Sequence, residues 1–217
     1  VLKVVNGIRP EFIEAAGKII EEAERDFQEV NHEILLPLAD HIALAAKRAK
    51  ENRQIPNPFT PDIRVLFSGE YAVALKGREI IQQLTGYRIS EDEVGFITLH
   101  IHAGLSDEAV SETLDTTRII SESLSVIEQE FGISLSGQSL GCIRLMSHMY
   151  YMIVRTKKGE STNVDFNEFM YEKYPRTAET ASRVCAYIEQ TLKLPVSEEE
   201  IGFLAIHIQR VISPGTV

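Results

Sequence analysis

Four histidines fall into two pairs with one spacing. His41 and His100 are 59 positions apart, and so are His148 and His207. A neutral imidazole offers a ring lone pair near pH 7, because its unperturbed pKa is about 6.5. Such a group can ligate a metal, serve in hydrolytic catalysis or accept a phosphoryl group. Helical metal pairs need ligands on one face, commonly at i and i+4. His100 and His102 are two apart, roughly 200° around a helix, and no Glu-x-x-His pair like that of di-iron bundles occurs. Hydrolase chemistry fares no better: Gly132-Ile133-Ser134-Leu135-Ser136 lacks the second glycine of a nucleophile elbow. There is no phosphate-binding glycine loop and no Cys-x-x-Cys. No metal, no cofactor and no enzymatic activity are expected, and phosphorylation of imidazole is what remains.

The competing reading is a packed core residue, the ordinary fate of a single histidine on an apolar helix face. Each of His41, His100, His148 and His207 lies among apolar neighbours, but two equally spaced pairs argue against that reading. Arg48 and Arg155 follow His41 and His148 by seven residues, two helical turns or about 10 Å along one face. They are candidate partners for a phosphate; solvation of a helix end explains them equally well. His32 and His102 have no counterparts in the second pair's frame and are read as structural or surface residues.

The elements that must position these side chains come in two copies, related by an offset of 107 residues. Identical pairs at that offset include Arg48/Arg155, Phe59/Phe166, Ala74/Ala181, Ile81/Ile188, Ser90/Ser197, Glu93/Glu200, Gly95/Gly202 and Phe96/Phe203. The repeat is too long for a solenoid unit and implies two whole domains. Apolar residues recur with helical period: Phe12, Ala16, Ile19, Ile20, Ala23 and Phe27 mark a first helix, and Ile34 to Ala49 a second. Ile55-Pro56-Asn57-Pro58-Phe59-Thr60-Pro61 breaks the pattern. A short helix near Ile63 to Phe67 follows, then one from Glu70 to Leu84. Ser90 with Glu93, and Ser197 with Glu200, read as capping boxes opening the last helix of each copy. Gly95 and Gly202 then sit inside a helix at a cost of about 1 kcal/mol relative to Ala, which close helix–helix approach would explain. In the second copy helices are expected over Thr117–Phe131, Ser139–Thr156, Asn167–Glu172, Pro175–Leu192 and Glu198–Val211, with Gly104 to Asp115 as linker. The fold class is all-α: two tandem homologous bundles of about five helices each.

Composition agrees. An apolar fraction of 44% in 217 residues can build two cores. No apolar run approaches the roughly 18 residues that span a bilayer, no signal peptide is evident, and Cys142 and Cys185 sit in apolar helical patterns as reduced core thiols. A cytoplasmic protein is expected. A net charge of −10 argues against direct nucleic-acid binding by this chain, since phosphate contacts need clustered Lys and Arg.

The stretches Leu38-Ala-Asp-His41-Ile-Ala-Leu-Ala, Asn57-Pro-Phe59 and Glu93-Val-Gly-Phe-Ile-Thr-Leu-His100-Ile-His102 resemble the first of two PTS regulation domains. Arg144-Leu-Met-Ser-His148 and Glu200-Ile-Gly-Phe-Leu-Ala-Ile-His207 resemble the second. The chain as a whole is similar to the sensor half of BglG/LicT-type transcriptional antiterminators, and His100-Ile-His102 leans toward the glucose-type members. The resemblance implies a sugar-responsive switch. In such proteins a small RNA-binding domain precedes the two regulation domains and, as a dimer, stabilises an RNA hairpin that prevents early termination. It implies phosphorylation of His41, His100, His148 and His207 by HPr and a sugar-specific enzyme II of the phosphotransferase system, and a homodimer. By this resemblance residues 1–9 are the linker from a missing RNA-binding domain, 10–107 the first regulation domain and 108–217 the second, so the chain alone is expected not to bind RNA. The alternative is the regulatory part of a PTS-controlled DNA-binding activator. A plain dimerisation module is a third reading, and it expects no phosphate on any histidine.

Overall fold

The protein is described by a computed structural model over residues 7–135, 137 and 139–213. Among these residues it is helical, without β-strands, and it divides into two compact units between Leu114 and Asp115. The first contains α1 (Pro10–Phe27), a 3-10 turn (His32–Ile34), α2 (Leu35–Lys50), α3 (Thr60–Leu66), α4 (Ser68–Thr85) and α5 (Glu91–Leu105). The repeat continues with α6 (Val110–Phe131), α7 (Leu140–Lys158), α8 (Asn167–Lys173), α9 (Pro175–Leu192) and α10 (Glu199–Ile212). This is the expected pair of helical bundles. α8 and α9 repeat the bounds of α3 and α4 at the 107-residue offset.

The periodic stripes become the cores. α1 buries Phe12, Ala15, Ala16, Ile19, Ile20 and Ala23, which is the i, i+3, i+4 spacing of one helix face. That face packs on α4 and α2, and α4 packs on α5. Complete burial of a side chain such as Ile19, Ile42 or Ile81 contributes about 1.5–3 kcal/mol each. In the second unit α10 packs on α9, α7 and α8, around Leu145, Ile153, Ile188, Leu204 and Ile208. Cys142 and Cys185 are buried and unbridged; burial pushes the Cys185 thiol up to about 12.

Two local expectations are corrected. α6 begins at Val110, not Thr117, and α5 runs to Leu105, so only 106–109 of the expected linker is non-helical. The turn there is held by side chains: Ser106 Oγ accepts from Glu108 N at 3.3 Å and Glu112 Oε2 from Ala109 N at 3.1 Å. The capping boxes are incomplete. Ser90 Oγ accepts from Glu93 N at 3.3 Å, but the Glu93 side chain turns inward; in α10 the N-cap is Glu198 and makes no side-chain cap bond. The helical glycines do lie at close helix–helix approaches, Gly95 of α5 against the start of α3 and Gly202 of α10 against the start of α8. A Cβ on Gly95 would lie 3.0 Å from Thr60 Oγ1 and 3.2 Å from Asn57 Nδ2. One on Gly202 would lie 2.8 Å from the Phe166 carbonyl carbon and 2.9 Å from Asn167 N.

Candidate functional site

In each unit two helices bring the paired histidines together. α2 presents His41 and Arg48, and α5 presents Glu93 and His100; both pairs are seven residues apart, so each occupies one helix face. The His41 and His100 ring centroids are 5.1 Å apart, tilted by 46°. His41 Nε2 lies 3.0 Å from Glu93 Oε2, and Arg48 Nε donates to Glu93 Oε1 at 2.6 Å. One buried carboxylate, 4% exposed at its side chain, therefore joins the histidine to the arginine. Phe96 closes the site, 5.6 Å from the His41 ring.

The second unit uses the equivalent residues on α7 and α10. His148 and His207 stack with centroids 4.5 Å apart and planes 25° from parallel. Arg155 grips Glu200 with two bonds, Nε to Oε1 at 2.8 Å and Nη2 to Oε2 at 3.0 Å. His148 Nε2 stands 3.7 Å from Glu200 Oε2, too far for a hydrogen bond. It is buried without a hydrogen-bond partner among the described residues, as is Nδ1 of His207.

These surroundings favour the neutral form of His100, His148 and His207. Burial, with His41 nearby, pushes the His100 pKa down to about 4. Burial first, then His207 and Arg155, pushes His148 down to about 3. His207 is lowered by burial and then by Arg210 and Arg144. Burial alone would raise the Glu93 carboxyl, but hydrogen bonds from His41 and Arg48 outweigh it and hold Glu93 below the ordinary carboxylate range. Each unit thus sets two close imidazoles beside a carboxylate–guanidinium pair. All four rings are partly exposed.

His102 does not join this site. It points to the opposite face of α5, where Nδ1 lies 2.9 Å from Glu70 Oε1 and the ring packs 4.3 Å from Phe67. His32 is exposed, with Nε2 2.5 Å from Glu24 Oε1. The described residues contain no group of three or more His, Cys, Asp or Glu able to hold a metal ion, and no helix long and apolar enough to cross a membrane. The residues that sequence reasoning missed are Glu93 and Glu200. The local pattern reads both as helix caps, although each recurs at the 107-residue offset together with its arginine and its histidines.

Comparison with known proteins bears directly on this arrangement. The family model described as "PRD domain" matches residues 17–104 and again 121–211. The GlcA/glcB genes antiterminator of Staphylococcus carnosus is 31% identical over 195 residues, covering 89% of this chain and 67% of the relative. The PtsGHI operon antiterminator of Bacillus subtilis is 32% identical over 171 residues, covering 78% of this chain and 61% of the relative. The transcription antiterminator LicT of the same organism is 29% identical over 206 residues, covering 93% and 74%. The chain spans about two thirds of the length of these relatives. A solved structure described as "Crystal structure of GlcT CAT-PRDI" shares 30% identity over 46% of this chain and 60% of that one, with a TM-score of 0.43.

Proposed function

Because the chain belongs to the tandem PRD family of BglG/LicT-type antiterminators, on its glucose-type side, we propose that it is the sugar-responsive regulatory part of a transcriptional antiterminator. Its input is reversible phosphorylation of His41, His100, His148 and His207 by HPr and a sugar-specific enzyme II. Residues 10–107 and 108–217 are the two regulatory domains, working as a homodimer in the cytoplasm. Their packing controls an RNA-binding domain outside this chain.

The observation that carries this reading is the meeting of the two equally spaced histidines in each unit, with ring centroids 5.1 Å and 4.5 Å apart beside a buried Glu–Arg pair. A phosphoryl group adds about two negative charges and strong acceptor oxygens. Placed beside Glu93 or Glu200, that charge repels the carboxylate and competes for its arginine. Arg48 and Arg155 are therefore read as switch residues: bound to glutamate before phosphorylation, drawn to phosphate after it. Such a contest between two partners for one guanidinium supplies the differential interaction that a two-state switch requires.

The test is transfer of labelled phosphate from phosphoenolpyruvate through enzyme I, HPr and the glucose-type enzyme II. Acid-labile label is expected on the parent chain and none on the variant with all four histidines changed to Ala. Label that survives in that variant would sink the assignment.

A further inference from the structure

A neutral imidazole holds its proton on one nitrogen and its lone pair on the other. Which nitrogen reacts is therefore a structural question at each ring. In the first unit Arg48 Nε donates to Glu93 Oε1 at 2.6 Å, and the same carboxylate presents Oε2 to His41 Nε2 at 3.0 Å. A carboxylate held by a guanidinium is ionised and can only accept. The proton of the 3.0 Å contact must then lie on Nε2 of His41, and in the neutral ring the lone pair is on Nδ1.

We propose that Glu93 is a positioning residue that holds His41 as its Nε2–H tautomer, making Nδ1 the phosphoacceptor atom. The proposal rests on the reading of His41 as a phosphorylated residue. In the transfer step the Nδ1 lone pair forms the new N–P bond. The N–P bond of the donor, a protonated phosphohistidine on a carrier protein, breaks, and its electron pair returns to the donor ring. The His41 ring gains the positive charge that the donor ring loses. Glu93, facing Nε2–H, stabilises that imidazolium much as a buried carboxylate does behind a catalytic histidine.

The second unit sorts its nitrogens by burial. Nε2 of His148 is enclosed and faces Glu200 across 3.7 Å, without the contact that His41 makes with Glu93. In His207 it is Nδ1 that is enclosed without a hydrogen-bond partner among the described residues.

Long-range 1H–15N spectra of chain labelled with ring-15N histidine read both states directly, with His41 assigned by His41→Gln. Before phosphorylation a protonated Nε2 and a bare Nδ1 are expected for His41 at pH 7. After transfer from phosphoenolpyruvate through the carrier proteins, Nδ1-phosphohistidine is expected there. In Glu93→Gln, whose amide can donate or accept, the two tautomers should average and labelling of His41 should slow about ten-fold. An unchanged His102 signal reports that this variant still folds. An Nδ1–H or averaged tautomer in the parent overturns the proposal. Phosphate on Nε2 of His41, or only on other histidines, overturns the proposal alone. Phosphate on none of the four overturns the phosphorylation reading, and the proposal with it. A Glu93→Gln chain that keeps the parent tautomer and rate also overturns it.

Discussion

The two units place the same four residue types at the same register and arrange them differently. In the first, Glu93 divides its oxygens between His41 and Arg48. In the second, Glu200 gives both oxygens to Arg155, and His148 is left 3.7 Å away. The consequence is a tethered histidine in one unit and a freer, more closely stacked pair in the other. One carboxylate cannot satisfy a bidentate guanidinium and an imidazole equally well, so a small difference in arginine placement decides which partner wins. Duplicated residues thus do not imply duplicated electrostatics.

Removing the arginines should show this difference at its largest. Arg155→Met leaves Glu200, 2% exposed at its side chain, without either hydrogen bond of the pair. Stripping one partner from a buried ion pair costs about 3–5 kcal/mol. Arg48→Met leaves Glu93 still accepting from His41, so the loss should be nearer 2 kcal/mol, on the order of one unsatisfied buried group. Urea unfolding of the two variants checks the order. Equal losses would mean that the His41 tether contributes nothing to holding Glu93.

Acidification should weaken both units next, the second over the wider range, since burial lowers His100 to about 4 and His148 to about 3. The folded state holds His148 at about 3, well below its ordinary 6.5. Below pH 6.5 the unfolded chain binds a proton that the folded chain refuses, so stability is full above pH 6.5 and is lost as pH falls toward 3. Between pH 6.5 and 5 this one ring is worth at most about 2 kcal/mol. His148→Asn should flatten the fall in melting temperature over that interval. An unchanged pH slope in this variant would show that the ring is protonated in the folded protein or is solvated there.

The helical glycines offer a third contrast. Ala gains about 1 kcal/mol over Gly inside a helix. At Gly95 the new Cβ would press on the side chains of Thr60 and Asn57, which can shift; Gly95→Ala should be close to neutral. At Gly202 it would lie within 3 Å of the backbone of Phe166 and Asn167, which is harder to move. Overpacking of that kind costs about 1–3 kcal/mol, so Gly202→Ala should be net destabilising by about 1 kcal/mol. Thermal melts of the two single variants decide it; the reverse order would mean that the Asn57–Thr60 turn is the stiffer neighbour.

What could be read from sequence followed the range of each interaction. Helix identity rests on local periodicity, and the stripe Phe12, Ala16, Ile19, Ile20, Ala23 was plain there. The histidine pairs were visible because duplication repeated their spacing. Glu93 was misread because Ser-x-x-Glu describes both a capping box and a carboxylate aimed inward. The residue that decides between them, Arg48, lies 45 positions away in sequence. The same limit hid the neighbours of Gly95 and Gly202, which sit at junctions that no local pattern marks. The early start of α6 was hidden differently: its first turn lacks an apolar stripe and is held by Glu112 reaching back to Ala109 N.

The smallest contrast is at the end of the fourth helix of each unit. Gly86 caps α4 with φ 78° in the left-handed region, and its counterpart at the 107-residue offset, Lys193, caps α9 with φ 56°. Both donate their backbone N–H to the carbonyl four residues back, at 2.9 Å and 2.8 Å. Duplication therefore kept the turn and changed the residue. An L-residue pays about 1 kcal/mol for this conformation, whereas glycine does not. Glycine also raises the entropy of the unfolded chain, which offsets part of that gain. Lys193→Gly should stabilise the second unit by about 0.5 kcal/mol, and Gly86→Lys should destabilise the first by a similar amount. Thermal denaturation of both variants at pH 7 reads the two signs. A destabilised Lys193→Gly would show that the lysine side chain compensates for the strain of its own backbone.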